Sequence, residues 1–249
     1  MFERREVGDV LRRAVGAGVG QVLVPATSAD DLDEAVSLAL EHSDRVVAAV
    51  GLHPHDASTL DDGLKARIEQ ALRCAGVVAV GEIGLDYHYL RSPREDQLRA
   101  LDWQLDLAVE HSRPVIIHNR ESWHDLESAL ARRAGRLLGV CHSFCAGPEA
   151  ARRVVDLGLL VGISGMVTFS SAEEVRESAR AVGPRQLLVE TDSPYLAPVP
   201  HRGRRNEPAY VVHVAHRLCE ELGVAEKDFA EMTRGSFRRL FGRETDSPG

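Results

Sequence analysis

Four candidate strands of this sequence end at a carboxylate or an imidazole, and these groups can bind a divalent cation. The strand ends are "VAVGE" at Glu82, "PVIIH" at His118, "LGVCH" at His142 and "LLVETD" at Asp192. Carboxylate oxygens and neutral imidazole nitrogens together suit Mg²⁺, Mn²⁺, Zn²⁺ or Fe²⁺. A bound cation also offsets the repulsion between buried acids. One such strand end is commonly a helix cap or a backbone-bonded histidine, but four together predict a metal site.

These residues meet only if the strands that carry them lie side by side in one parallel sheet. Short β-type runs cover residues 21–26, 46–54, 77–84, 114–118, 137–142, 159–164 and 187–190. Amphipathic helical patterns alternate with them at 31–42, 62–74, 94–111, 121–132, 147–157 and 172–181, and two more follow near 207–221 and 226–240. Strict β–α alternation implies a parallel sheet with right-handed crossovers. In a barrel of this kind the carboxyl ends of the strands meet at one mouth, so we predict one pocket around the four residues.

The number of strands is one short of a closed barrel. A (β/α) barrel needs eight strands, whereas the chain offers seven and opens on a helical pattern at 6–20. We therefore predict an α/β fold, a TIM-type (β/α) barrel in which seven strands are evident and the first is missing. An open seven-stranded sheet, or a barrel closed in another way, is the alternative. The length fits a single hydrolase domain over residues 1–249.

Composition excludes several classes of protein. No apolar run reaches the ~18–20 residues that a membrane helix needs, and the charged N-terminus lacks a signal-type segment, so we expect a cytoplasmic protein. The four cysteines form no disulfide pattern. A net charge of −8 argues against a broad basic surface for nucleic acid. Phosphates would then be bound locally, by metal ions or a few arginines.

Further polar residues lie near the predicted mouth. His53 in "GLHPH" is expected there as a substrate contact, while the role of His55 stays open between the mouth and solvent. The proline-rich segment 192–208 carries Arg202, Arg204 and Arg205, which could bind an anionic substrate through bidentate contacts. A solvated connection with arginines paired to Glu207 is the alternative.

The segment "YLRSPRED" offers Arg91 and Arg94 in the same way. Its serine and proline also fit a plain helix start.

Several stretches in fixed order resemble the TatD-type metal-dependent deoxyribonucleases, which are barrel hydrolases related to the amidohydrolases. They are "VGLHPH", "VAVGEIGLDYHY", "SPRE", "RPVIIHNR", "GVCHSF", "VGISGMVTF", "LLVETDSPYL" and "RRNEPAYV". The resemblance implies Glu82, His118, His142 and Asp192 as metal ligands. It also implies up to two divalent ions, Mg²⁺ or Mn²⁺ first and Zn²⁺ as an alternative.

The resemblance further implies hydrolysis of phosphodiester bonds in DNA. Glu82 and Asp192 would be catalytic, with Glu82 shared between the ions and Asp192 orienting or deprotonating the attacking water. His53, Arg94 and Arg205 would position the phosphate. We expect a monomer with no membrane association and no stable protein partner.

The sequence departs from the family pattern at its start. Family members usually begin with a strand ending in an HxH pair, and this chain has no such stretch. One ion would keep Glu82, His118 and His142, but the other only Glu82 and Asp192, so we predict weakened metal affinity and impaired catalysis.

Two alternative functions follow. One is a catalytically weakened barrel that acts as a nucleic-acid- or protein-binding module. The other is a metallohydrolase of C–N or ester bonds, although no strand-end lysine is available for carbamylation.

Overall fold

The computed structural model describes residues 2–242, in which β-strands and α-helices alternate. The strands are β1 (Val22–Pro25), β2 (Val46–Val50), β3 (Val77–Asp86), β4 (Val115–Arg120), β5 (Gly139–Cys141), β6 (Leu159–Ile163) and β7 (Leu187–Val189). The helices are α1 (Val7–Gly16), α2 (Leu32–Glu41), α3 (Asp62–Leu72), α4 (Arg94–Glu110), α5 (Trp123–Ala131), α6 (Gly147–Asp156), α7 (Glu173–Val182), α8 (Val211–Leu222) and α9 (Glu226–Phe241). Each predicted run and helical pattern therefore has its counterpart.

The sheet has the topology expected of a TIM-type barrel. Its seven strands follow one another in sequence order from β1 to β7. The pairs β2–β3, β3–β4 and β6–β7 are parallel. The prediction of a (β/α) barrel fold with seven evident strands is thus confirmed for the described residues.

The chain divides into two compact units. The first comprises Met1–Val22 and Val140–Arg234, and the second comprises Leu23–Gly139 and Gly235–Gly249. The expectation of a single domain over 1–249 stays a prediction. None of the helices within residues 2–242 is long and apolar enough to cross a membrane.

Strand β3 pairs with β2 on one side and with β4 on the other, within the second unit. All ten of its residues are buried, as expected for a parallel strand that is covered on both faces. Gly84 on β3 lies opposite His118 on β4 and has φ +151°. A Cβ at Gly84 would lie 2.0 Å from the carbonyl oxygen of His118. A glycine is therefore needed for β3 and β4 to approach closely at this point, which sets Glu82 beside His118.

The first unit contains a buried arginine that fixes the segment after β6. The guanidinium of Arg176 on α7 donates hydrogen bonds to the carbonyl oxygens of Val167, Phe169 and Ser170, at 3.2, 2.7 and 3.2 Å. It also donates to Glu173 at 2.8 Å. These bonds satisfy a buried cation that would otherwise destabilise the unit.

Candidate metal centre

Buried Glu82 is the centre of a cluster of acids and imidazoles in the second unit, which we call the Glu82 cluster. Its members are His53, His55, Glu82, Asp86 and His118. The Nδ1 atom of His118 lies 2.8 Å from Oε1 of Glu82, and Nε2 of His53 lies 3.5 Å from the same oxygen. One donor atom each from His53, Glu82 and His118 falls within 4.8 Å of the others. Ligand atoms about 2.0–2.2 Å from a common ion have separations in this range.

Asp86, at the end of β3, orients the imidazoles of the Glu82 cluster. It is 1% exposed, and its Oδ2 lies 2.9 Å from Nε2 of His55 and 3.3 Å from Nε2 of His118. Its Oδ1 accepts the backbone N–H of Tyr89 at 2.8 Å. Burial alone would raise the pKa of Asp86, but the bonds from His118, Tyr89 and His55 outweigh it and hold the pKa well below its usual range.

Gln97 on α4 fixes the backbone of Asp86 independently of its side chain. The Asp86 N–H donates to Oε1 of Gln97 at 2.8 Å, and Nε2 of Gln97 donates to the Asp86 carbonyl at 3.0 Å. Gln97 is fully buried, so both amide ends satisfy polar groups that water cannot reach. The Asp86 carboxylate is therefore held in place from outside the cluster.

The backbone assigns the tautomer of His53. Nδ1 of His53 accepts the N–H of His55 at 3.2 Å, and a backbone N–H can only donate. A neutral His53 ring thus carries its proton on Nε2, the atom that faces Glu82. In this state His53 is a hydrogen-bond donor, and it becomes a ligand through Nε2 only after that proton leaves. Burial lowers the pKa of neighbouring His55. This effect outweighs the hydrogen bond to Asp86, which raises the pKa.

A second set of acids and an imidazole lies in the first unit, and we call it the His142 cluster: His142, Glu190 and Asp192. Nδ1 of His142 lies 2.9 Å from Oε1 of Glu190, and its Nε2 lies 4.0 Å from Oδ1 of Asp192. The Ser143 N–H also donates to Glu190 at 2.7 Å. A histidine that donates its Nδ1 proton to Glu190 leaves Nε2 available as a ligand on the Asp192 side.

The loop that carries Asp192 is fixed by a fully buried amide. Asp192 has φ +59°, a left-handed conformation that a non-glycine residue keeps only when its surroundings enforce it. Nδ2 of Asn206 donates to the carbonyl oxygens of Thr191 and Tyr195 at 2.7 and 2.6 Å, while its Oδ1 accepts the Glu207 N–H at 2.9 Å. Asn206 thereby ties the chain on both sides of Asp192.

Comparison with known proteins decides the family. The family model described as "TatD related DNase" matches residues 2–242. The chain belongs to the TatD related DNase family. It is 38% identical over 241 residues to the "Uncharacterized metal-dependent hydrolase YcfH" of Escherichia coli strain K12, covering 95% of this chain and 89% of that protein.

Two further TatD-type proteins agree with this assignment. The "3'-5' ssDNA/RNA exonuclease TatD" of Pectobacterium carotovorum is 35% identical over 239 residues, with 94% of this chain and 92% of that protein covered. The crystal structure of YJJV, a TatD homolog of E. coli K12, superposes with a TM-score of 0.90 at 34% identity, covering 96% and 93% of the two chains.

The donor chemistry of this TatD-type chain fits a divalent cation. The Glu82 cluster combines one buried carboxylate with imidazole nitrogens, and Asp86 stands behind His118 as an outer partner. The His142 cluster repeats the pattern, with Glu190 behind His142. An outer carboxylate that fixes the tautomer of a ligating histidine is the usual support of a metal site. The structure describes each cluster within its own unit, so the joint assignment of Glu82, His118, His142 and Asp192 stays a prediction.

The two arginines predicted to bind substrate already have partners. Arg94 lies 3.9 Å from the ring centroid of Tyr87 and 3.3 Å from Asp125. Arg205 donates to Glu6 at 2.8 and 3.0 Å. A phosphate would have to compete with these carboxylates, and the substrate roles of both arginines stay predictions.

Glu207 has a partner as well. Arg13 on α1 donates to it at 2.6 Å, so the expected arginine pairing of Glu207 is present, although its partner lies outside segment 192–208.

The sequence pattern predicts no role for Asp86 or Glu190 and leaves the role of His55 open. Each carboxylate stands at a strand end, as do the predicted ligands. A metal ligand and an orienting residue differ in which side chain of the cluster each one contacts. Only the folded structure shows these contacts. The sequence hints at both carboxylates by spacing alone, because Glu190 lies two positions from Asp192 and Asp86 lies four positions from Glu82.

Proposed function

We propose that this chain is a metal-dependent hydrolase that cleaves phosphodiester bonds in DNA. The observation that carries the proposal is the contact of buried Glu82 with His118, backed by Asp86. Family membership supports the hydrolase assignment, and the Pectobacterium relative named as an ssDNA/RNA exonuclease supports a nucleic-acid substrate.

Four side chains would hold the metal: Glu82, His118, His142 and Asp192. When bound, one or two divalent cations, Mg²⁺ or Mn²⁺ in the first place, would polarise the phosphate and favour ionisation of water. Asp86 faces Nε2 of His118, and Glu190 faces Nδ1 of His142. Each carboxylate accepts the proton of the ring nitrogen that the metal would not use, which keeps the imidazole in the ligating tautomer.

The remaining residues of the proposed mechanism position the phosphate and move protons. His53 carries its proton on Nε2 and donates it in a hydrogen bond to a phosphate oxygen. Asp192 accepts the proton of the attacking water, and Asn206 fixes the backbone on both sides of this residue. Arg94 and Arg205 contact the phosphates that flank the scissile bond.

Cleavage of end-labelled DNA with and without added metal tests the proposal. We expect slow cleavage with Mg²⁺ or Mn²⁺, because the second ion has few protein ligands, and none in EDTA. Glu82→Gln should lose more than the roughly 10–100-fold that removal of an outer partner of a metal ligand causes. The matched control is Glu110→Gln, which changes an exposed carboxylate at the end of α4 and should leave the rate unchanged.

The same assay separates the alternatives. Metal-dependent turnover of carboxylic esters or amides without DNA cleavage would assign the chain to C–N or ester chemistry. DNA binding without any turnover would assign it to the binding modules. Either result would contradict the proposal.

A further inference from the structure

An exposed aromatic ring stands directly beside the Glu82 cluster. Tyr89 follows β3 and is 51% exposed. Its backbone N–H donates to Asp86, and Oδ2 of the same carboxylate contacts His118. The Tyr89 ring lies edge-on to that of His55, with 5.6 Å between the centroids. One side chain, Asp86, therefore links the ring to a proposed metal ligand.

Two exposed arginines lie over this ring in cation–π contact. The guanidinium carbons of Arg120 and Arg91 lie 4.8 and 5.7 Å from the Tyr89 centroid. Within residues 2–242 neither guanidinium forms an ion pair, whereas Arg94 and Arg205 are both paired to carboxylates. The net charge of the chain is −8. Two guanidinium groups that pair with no carboxylate of residues 2–242 therefore give the surface around Tyr89 a local charge opposite to that of phosphate.

The chemistry of this site matches one kind of ligand. An aromatic face stacks with any nucleobase, and a guanidinium binds phosphate oxygens in bidentate fashion. Bases inside a duplex are already stacked on their neighbours, so an exposed ring gains contacts only from an unpaired strand. We propose that Tyr89 is a stacking platform for a base of single-stranded DNA, while Arg91 and Arg120 contact the adjoining phosphates. This inference rests on the proposed function and names the residues that would bind a single-stranded substrate, the class printed in the name of the Pectobacterium relative.

Metal-free binding of a fluorescent 12-nucleotide single strand, followed by anisotropy in EDTA at fixed salt, tests the platform. Stacking contributes about 1–3 kcal/mol per base, so Tyr89→Leu should weaken binding about 5- to 150-fold. Tyr89→Phe and Tyr89→Trp keep a ring and should bind within about threefold of wild type. Leu138→Ala, an exposed apolar residue in the same unit, is the matched control and should have no effect.

Binding to two kinds of DNA strand separates the contribution of the base from that of the phosphate. With an abasic strand of equal length, Tyr89→Leu should bind like wild type. Replacing both Arg91 and Arg120 by Gln should weaken binding to both strands and reduce the salt dependence. A Tyr89→Leu variant that binds the base-containing strand as tightly as wild type, or that loses equally on the abasic strand, would overturn the proposal. So would Tyr89→Trp binding as weakly as Tyr89→Leu.

These readouts separate the two proposals. Binding is measured without metal and without turnover, so a platform can fail while Mg²⁺-dependent cleavage persists. Conversely, the absence of cleavage in wild type would refute the proposed function, and the anisotropy measurement would still decide whether Tyr89 is a stacking platform.

Discussion

Asp86→Asn tests whether an outer carboxylate prepares the Glu82 cluster for metal. The substitution keeps the shape of the side chain, and Gln97 still fixes the backbone. One amide oxygen can still accept the Tyr89 N–H. The amide nitrogen, however, would face the ring nitrogens of His55 and His118, which lie 2.9 and 3.3 Å from Oδ2 in the wild type. An NH₂ group cannot accept the protons that the carboxylate accepts, so the His118 ring loses its fixed tautomer.

The expected loss can be given a magnitude. Removing an outer partner of a ligating histidine typically lowers metal affinity 10–100-fold, which is about 1.4–2.7 kcal/mol. Calorimetric titration with Mn²⁺ measures it directly, and circular dichroism checks that the variant folds. Asp62→Asn, which changes a fully exposed carboxylate, is the control and should bind as wild type. A folded Asp86→Asn variant with wild-type Mn²⁺ affinity would refute the reasoning.

Three further predictions follow from other contacts. His53→Gln should raise KM for DNA about tenfold or more and leave Mn²⁺ affinity within about threefold, because His53 donates a hydrogen bond to the phosphate and does not ligate the metal. A loss of Mn²⁺ affinity as large as that of Glu82→Gln would contradict the tautomer assigned to His53. Asn206→Ala should lower the free energy of unfolding in urea by about 2–4 kcal/mol, because three buried bonds are lost; an unchanged midpoint would show that the loop needs no such tie. The hydrogen bond from Arg205 lowers the pKa of Glu6 from 4.5 to about 2, so the contribution of this ion pair is present above pH 4.5 and is lost as the pH falls towards 2. Thermal unfolding of wild type and Glu6→Gln should therefore differ at pH 6 and converge near pH 2, and a difference that grows on acidification would have the wrong sign.

The fold was predictable because apolar runs and amphipathic patterns alternate strictly along the chain. The continuous apolar run of β3 marks a strand that is buried on both faces, and its end near Glu82 suggested a mouth. The strand nevertheless extends beyond the predicted residue 84 to Asp86. Gly84 lets β3 stay paired with β4 past the acid, and no local pattern reveals that approach.

The site was predictable in its residue types but not in the roles of its neighbours. Glu82 and His118 were found because strand ends carry chemistry in this fold. The role of Asp86 could not be predicted because it depends on the rings of His55 and His118, which come from two other segments of the chain. Arg205 was expected near phosphate, but its partner Glu6 is 199 residues away along the chain, a distance at which sequence gives no pairing signal.

The most direct test of the central claim is an anomalous difference map at the manganese edge from crystals grown with Mn²⁺. We predict a peak about 2.0–2.2 Å from a carboxylate oxygen of Glu82 and from a ring nitrogen of His118. A Mn²⁺-saturated crystal whose manganese peaks all lie away from Glu82 would contradict the account.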